Sequence, residues 1–242
     1  MKKFFSRLIF LSLLIIFIGS GFLLSQNIKE EYQFHQIEEQ IDEEKQMLVE
    51  EEYEFTELIE FNEDTIGWIS IAGTLIDYPI VQASDNCYYL THACNRDESN
   101  HGSIFMDYHN AADFSDRHTI IYGHNMKDGS MFHDLIEYSD QDFLNEHIYI
   151  KIYSPTGYYK WAVFSTYTTE PDFNYLKTEF DSPEEYSDFL NALLSHSEFS
   201  SNEEIQVTAE DRILTLSTCS NDFENGRRVV HAKLVEEVID DE

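Results

Sequence analysis

The sequence predicts a mainly β fold in which short strands close into a barrel. From about residue 60 onward, stretches rich in β-branched and aromatic residues alternate with turn-forming Gly, Pro, Asn and Asp. A chain of 242 residues that is 42% hydrophobic can bury one substantial core, so we expect one globular domain over residues 60–242. Beyond a first strand-rich segment, DTIGWISIAGTLIDYPIVQ, the short strand candidates are 102–106, 118–122, 147–153, 158–167, 212–218 and 228–235.

The first 25 residues have the features of a membrane anchor. Lys2, Lys3 and Arg7 precede an uncharged, mostly apolar run over residues 8–25. A helix needs roughly 17–25 such residues to cross a bilayer, and basic residues before it favour a cytoplasmic N-terminus. A cleaved signal peptide is the alternative, but no clear small-residue cleavage site follows the run. We therefore predict a cytoplasmic segment 1–7, a single-pass anchor and an extracellular remainder.

An acidic segment without Gly or Pro follows over residues 26–59. Its apolar residues Phe34, Ile37, Ile41 and Leu48 recur at helical spacing. We predict a solvated helical stem that separates the anchor from the globular domain.

One further segment, residues 182–199, breaks the β pattern. Ser and Pro stand at its start and acidic residues occupy its first turn, as at a helix N-terminus. Tyr186, Phe189, Leu190 and Leu193 follow at helical spacing. We predict a surface helix inserted between two strands.

Charge and ligand spacing argue against several functions. Acidic residues outnumber lysine and arginine 47 to 15, and a formal charge of -32 disfavours binding to a phosphate backbone. No Asp/Asn loop with calcium spacing is present. Cys87, His92 and Cys94 form only a weak zinc pattern, because no second ligand pair flanks them. The sequence therefore predicts no metal and no nucleic-acid partner.

The three cysteines are Cys87, Cys94 and Cys219. In an exported chain an odd number leaves at least one thiol outside any intramolecular disulfide. Cys87 and Cys94 can pair with each other or lie in the core, and the sequence leaves both possibilities open. In RILTLSTC, period-two alternation places Cys219 on a more polar face at a strand end, while the two leucines face the core. A thiol there can meet solvent and substrate, whereas the commoner alternative is a buried structural cysteine.

The next strand places an arginine beside this thiol. If residues 220–226 form a hairpin loop, antiparallel register sets Arg227 opposite Cys219, with Cβ atoms about 5 Å apart, and Arg228 opposite Thr218. A guanidinium in that position can stabilise a thiolate or donate hydrogen bonds to an oxyanion. A surface charge is the alternative interpretation, and a bulge would change the register.

A histidine completes the set of candidate residues. In HTIIYGHN a predicted strand over residues 118–122 runs into Gly123, His124 and Asn125. The imidazole of His124 therefore lies on a loop just beyond a rigid strand, a suitable place for a proton carrier. With ten histidines in the chain, a structural or exposed role is the alternative.

Together these motifs resemble class B sortases, which are cysteine transpeptidases of Gram-positive bacteria. TLSTC with an arginine eight residues after the cysteine is similar to the catalytic strand pair of that family, and YGHN to its histidine loop. NEDTIGWISIAGTLIDYPIVQ and GSIFMDYHN are similar to its early strands, so the resemblance spans about residues 62–235. The helix predicted over residues 182–199 resembles the helical insertion of class B.

The resemblance implies an eight-stranded barrel, a catalytic domain over residues 60–242 and no cofactor. It implies that Cys219 attacks a Thr carbonyl in a C-terminal sorting motif of a secreted protein, and that an amine of the cell wall or of a pilin resolves the thioester. His124 would transfer protons, and Arg227 would stabilise the oxyanion or orient the Thr. Ser217 and Tyr122 would line the substrate groove.

Two other functions fit the same residues. A cysteine peptidase would pass the acyl group to water with the same residue types. A surface adhesion or assembly module on the acidic stem would show no unusual reactivity at Cys219. The sequence does not identify the sorting motif, the acceptor amine, or a role in anchoring or pilus assembly.

Overall fold

A computed structural model of the chain describes residues 58–170, 173–199, 205–220 and 225–239. The predicted anchor and all but the last two residues of the predicted stem lie outside these ranges. Among the described residues, no helix is both long and apolar enough to cross a bilayer. The strands are β1 (Thr65–Ser70), β2 (Asp77–Val81), β3 (Ile104–Met106), β4 (His118–Tyr122), β5 (Tyr149–Ser154), β6 (Gly157–Thr169), β7 (Ile213–Cys219) and β8 (Arg227–Ile239).

The eight strands form a closed barrel in the order β1-β2-β3-β4-β7-β8-β6-β5, which confirms the predicted fold class. Most neighbours are antiparallel, but β2 pairs with β3 and β4 pairs with β7 in parallel. Residues 58–61 are helical. Two α-helices follow, α1 (Gln141–Glu146) and α2 (Pro183–His196), with 3-10 turns at Tyr88–Leu90 and His133–Ser139. Because β4 and β7 are parallel neighbours, both end at the same edge of the barrel, with His124 just beyond one and Cys219 at the end of the other.

The inserted helix begins where the sequence predicts and ends earlier. Ser182 caps α2 by accepting a hydrogen bond from the Glu185 backbone N–H at 3.1 Å. The helix ends at His196 rather than near residue 199, because the backbone N–H of Glu198 donates to the Thr166 carbonyl at 2.9 Å and follows the edge of β6 instead. Strand β8 is longer than predicted and reaches Ile239, since its distal half continues to pair with β6.

Strand β7 is buried on both faces up to its last residue. Leu214 and Leu216 pack in the barrel interior, as predicted. The opposite face, which the sequence marks as the more polar one, is also covered, since Thr215 and Ser217 are buried and only Cys219 at the strand end is exposed. Apolar residues of α2 and the neighbouring strands cover it, and fully burying each such side chain stabilises the fold by about 1.5–3 kcal/mol. This second core contains Phe164, Tyr167, Tyr175, Tyr186, Phe189, Leu190, Leu193, Ile213 and Val229.

Two histidines, His118 of β4 and His231 of β8, are fully buried on this covered face. Burial lowers the pKa of His118 to about 4, although a hydrogen bond to the Lys177 carbonyl opposes this shift. Burial also lowers the pKa of His231 well below its usual value, and the nearby His118 adds to the effect. Both imidazoles are therefore neutral in the folded protein at neutral pH.

Because both imidazoles are buried and neutral, we predict that the folded protein loses stability in weak acid. Between pH 6.5 and about 5 the unfolded chain binds protons at both sites and the folded chain does not, so stability falls as the pH falls. The free energy of unfolding should drop by roughly 1.4 kcal/mol per pH unit for each histidine. Urea denaturation at several pH values measures the slope, and His231→Gln should about halve it. A slope unchanged by that substitution would contradict the prediction.

Candidate functional site

A cleft of about 300 Å³ opens at the barrel edge where β4 and β7 end. It brings together all five of the site residues predicted from the sequence. Its lining residues are Asn86, Leu90, Phe105, Tyr122, Gly123, His124, Tyr175, Leu176, Ser217, Thr218, Cys219 and Arg227.

Cys219 is the exposed last residue of β7. Its backbone is fixed from the histidine loop, because the Asn125 side-chain amide donates to the Cys219 carbonyl at 2.9 Å. Asn125 is in turn oriented by His133, whose Nδ1 lies 2.8 Å from its side-chain oxygen. The thiol is thus exposed while the main chain that carries it is held in place.

The predicted hairpin register is confirmed. Cys219 pairs with Arg227 and Thr218 pairs with Arg228 across β7 and β8. The half-buried Arg227 guanidinium donates from Nη1 to the carbonyls of Asn225 and Gly226, both at 3.1 Å. These two bonds use one nitrogen of the guanidinium, which carries five N–H donors in all.

Arg228 occupies a different environment from its neighbour. Its side chain is buried, and Nη1 pairs with a Glu198 carboxylate oxygen at 2.6 Å and donates to the Thr168 hydroxyl at 3.2 Å. The sequence placed Arg228 only opposite Thr218, and the structure shows a buried guanidinium paired with the partly exposed Glu198 carboxylate. Arg228 therefore ties β8 to the segment after α2.

His124 follows β4 and Gly123, as the sequence predicts. Its Nε2 lies 2.7 Å from the carbonyl oxygen of Leu90. A carbonyl only accepts hydrogen bonds, so Nε2 carries a proton, and Nδ1 is the nitrogen that can gain or lose one. The backbone carbonyl thus fixes the orientation and tautomer of the ring, as the carboxylate does in a Ser-His-Asp triad.

The turn Tyr88–Leu90 that presents this carbonyl is anchored on both sides. The Tyr89 hydroxyl donates to Asp64 at 2.6 Å and accepts from the Asn62 side-chain amide at 2.9 Å. Burial raises the pKa of Tyr89 to about 12, so it remains a donor at neutral pH. Gly102 packs beneath the turn at a positive φ of 59°, where a Cβ would lie only 2.5 Å from the Tyr89 carbonyl oxygen.

Tyr122 contributes its ring to the cleft and its hydroxyl to a buried carboxylate. The hydroxyl donates to Asp107 at 2.8 Å, and the Asn86 amide donates to the same oxygen at 2.8 Å. Burial alone would raise the pKa of Asp107, but hydrogen bonds from His109 and Tyr122 outweigh it and the pKa is lowered. Asp107 is therefore an anion that holds two residues of the cleft wall.

Ser217 contacts a residue that the sequence interpretation missed. Its hydroxyl lies 3.0 Å from that of Tyr175, which follows β6 and lines the cleft with Leu176. Burial raises the pKa of Tyr175, and the Ser217 hydrogen bond and the Arg227 charge oppose the shift. Asn86, Leu90, Tyr175 and Leu176 lie outside the predicted strands, and no local sequence pattern identifies them.

Comparison with known proteins identifies the family. A model described as the sortase domain matches residues 69–235. The chain is 46% identical over 184 residues to Sortase B of Listeria monocytogenes, covering 75% of this chain and 74% of that protein. It is 34% identical over 242 residues to Sortase B of Staphylococcus aureus, covering 97% and 98%. A Staphylococcus aureus sortase B-substrate complex aligns with a TM-score of 0.72 and 36% identity, covering 82% of this chain and 94% of that chain. The chain therefore belongs to the sortase family, within class B, and is a cysteine transpeptidase of the sortase type.

Proposed function

We propose that Cys219, His124 and Arg227 carry out this transpeptidation on a sorting motif bound in the cleft. The supporting observation is that an exposed thiol, an oriented imidazole and a guanidinium line one cavity. In the first half-reaction, the Cys219 thiolate attacks a Thr carbonyl carbon of the substrate and forms a C–S bond. The carbonyl oxygen gains negative charge, and Arg227 stabilises it with N–H donors.

Collapse of this intermediate breaks the peptide C–N bond. Protonated His124 donates its Nδ1 proton to the leaving amine, and a thioester remains on Cys219. In the second half-reaction, an acceptor amine attacks the thioester carbonyl and His124 takes its proton. The C–S bond then breaks, an amide forms, and the thiolate and imidazolium return to their starting states.

We further propose a substrate, an acceptor and a location. The donor is a secreted protein with a C-terminal sorting motif cleaved after Thr, and the acceptor is an amine of the cell wall or of a pilin subunit. Sortases act on sorting-motif proteins and an amine acceptor in general, and this chain carries the basic and apolar N-terminal sequence of an anchor. Residues 8–25 would then hold an extracellular catalytic domain at the cell membrane. Ser217 and Tyr122 would line the path of the peptide.

Mass spectrometry tests the proposal directly. The catalytic domain, residues 60–242, is incubated with five-residue peptides that contain Thr, together with candidate cell-wall and lysine amines. We expect a thioester on Cys219 with one peptide class and an amide product that appears only with a suitable amine. The absence of any acyl-enzyme across the library would contradict the proposed function.

The same experiment separates transfer from hydrolysis. Omitting the amine should leave the acyl-enzyme to accumulate or to hydrolyse slowly, since the thiol chemistry itself permits water as the acceptor. Hydrolysis that is equally fast with and without amine would favour a cysteine peptidase. Family membership already sets aside a non-enzymatic adhesion module.

Replacing His124 with Ala should reduce turnover by about 10²-fold or more, the scale for a lost general acid and base. Peptide binding should change much less, because Nδ1 acts on the reacting amine rather than on the body of the peptide. Steady-state kcat and KM measure the two effects separately.

His101 provides the control for this substitution. It is about half exposed and pairs with Asp128 at 2.9 Å, outside the cleft. His118 is unsuitable as a control because it is fully buried. If folded His101→Ala lost as much activity as His124→Ala, the proton-transfer role would need reassignment.

A further inference from the structure

A chain of four hydrogen bonds crosses the covered face of the sheet behind the cleft. The Tyr167 hydroxyl lies 2.7 Å from His231 Nε2, and His231 Nδ1 lies 2.7 Å from the Thr215 hydroxyl. That hydroxyl lies 2.6 Å from His118 Nε2, and His118 Nδ1 lies 2.7 Å from the Lys177 carbonyl. The chain joins β6, β8, β7 and β4 to the segment that precedes α2.

The Lys177 carbonyl at the end of the chain determines the direction of all four hydrogen bonds. The Lys177 carbonyl accepts only, so His118 donates from Nδ1, and a neutral ring then accepts at Nε2. Thr215 gives its one hydroxyl proton to His118 and must accept from His231 Nδ1–H. His231 Nε2 is then an acceptor for the Tyr167 hydroxyl. All donors point the same way, towards Lys177.

The end of this chain lies beside the cleft. Lys177 directly follows Tyr175 and Leu176, two residues that line the cavity with Cys219. Only one other described hydrogen bond ties this part of the segment to the sheet, between the hydroxyls of Tyr175 and Ser217. The wall formed by Tyr175 and Leu176 is thus held at Tyr175 by Ser217 and, just beyond Leu176, by the hydrogen bond from His118 to the Lys177 carbonyl.

We propose that Tyr167, His231, Thr215 and His118 are positioning residues that hold Tyr175 and Leu176 in place for the bound peptide. This inference rests on the proposed function of the cleft and adds residues that never touch the substrate. Loss of the chain should weaken peptide binding, because one wall of the cleft is released. The chemical step should change little, because Cys219, His124 and Arg227 are placed by the paired strands β4, β7 and β8 and not by the segment that carries Tyr175 and Leu176.

Thr215→Val tests the proposal, because valine keeps the shape and removes the hydroxyl at the centre of the chain. With the best peptide of the library, KM should rise about five- to tenfold, the equivalent of one lost buried hydrogen bond. The value of kcat should stay within about twofold of the unsubstituted enzyme. Thr215→Ser retains a hydroxyl and should restore most of the KM.

Thr119→Val is a matched control on neighbouring β4. Thr119 is equally buried, but its hydroxyl has no hydrogen-bond partner among the described residues. The same substitution there should leave KM unchanged. A folded Thr215→Val enzyme with unchanged KM would overturn the inference, whereas failure of the unsubstituted enzyme to form a thioester would overturn the proposed function instead.

Two measurements keep the test decisive if Thr215→Val fails to fold. Nitrogen NMR of the unsubstituted protein should show both buried imidazoles as neutral Nδ1–H tautomers at pH 7, and an Nε2–H or charged form of either would overturn the inference. Tyr167→Phe keeps the ring in the core and removes the first donor. It should raise KM at least about twofold, since the loss is at the far end of the chain, and an unchanged KM would also overturn the inference.

Discussion

Replacing Cys219 with Ala is expected to abolish both the acyl-enzyme and the transfer product while the barrel remains folded. The substitution removes the only atom proposed to bond to the substrate, so no alternative route forms a thioester. It costs little packing, because the side chain is exposed at the end of β7. Intact-mass analysis after incubation with peptide measures the first effect, and thermal unfolding measures the second.

The other two cysteines are the controls. Both are free thiols in the structure, so the disulfide that the sequence left open is absent and neither belongs to the buried core. Cys94 is half buried, and burial raises the pKa of its thiol, which makes it a poorer nucleophile at neutral pH. Cys87→Ala and Cys94→Ala should retain most activity. Loss of acylation in a folded Cys94→Ala enzyme, or turnover by Cys219→Ala, would contradict the assignment of Cys219 as the nucleophile.

The sequence was sufficient to predict relationships between neighbouring strands. Alternation along β7 and the length of the following loop placed Arg227 beside Cys219, and the structure has this register. Local geometry determines this register, because side chains alternate between faces and paired strands have a fixed spacing. The position of His124 was also predicted from local sequence, because the strand over residues 118–122 runs into Gly123 and His124.

The rest of the cleft depends on contacts between distant segments. Tyr175 and Leu176 follow β6, and their position is set by residues some 40 to 60 positions away, such as Ser217 and His118. The carbonyl of Leu90 has no signature in the sequence, because every residue carries one. The burial of the more polar face of β7 was not predicted, because alternation does not show that α2 packs over it.

The second large effect concerns the adjacent residues Arg227 and Arg228. We expect substitution of Arg227 to reduce catalysis and substitution of Arg228 to reduce stability. Arg227→Ala should reduce turnover by about 10²- to 10³-fold, the scale for removing an oxyanion donor. Arg227→Lys should restore little of it, because an ammonium lacks the planar fork of the guanidinium. Arg227 is half buried at the strand end, so the unfolding temperature should change little. Single-turnover acylation rates with the best peptide measure the catalytic loss.

Arg228→Ala should instead destabilise the protein. It removes a buried guanidinium together with its charged hydrogen bonds to Glu198 and Thr168, which should cost on the order of 1–3 kcal/mol. Turnover per folded molecule should stay within about tenfold of the unsubstituted enzyme. Glu198→Gln is the matched control, because it breaks the same ion pair from the other side and should lower the unfolding temperature without a catalytic loss. If folded Arg228→Ala were inactive and Arg227→Ala active, the buried arginine would be the catalytic one. The exposed ends of β7 and β8 would then have to rearrange when the peptide binds, because only a shifted register brings Arg228 to the thiol.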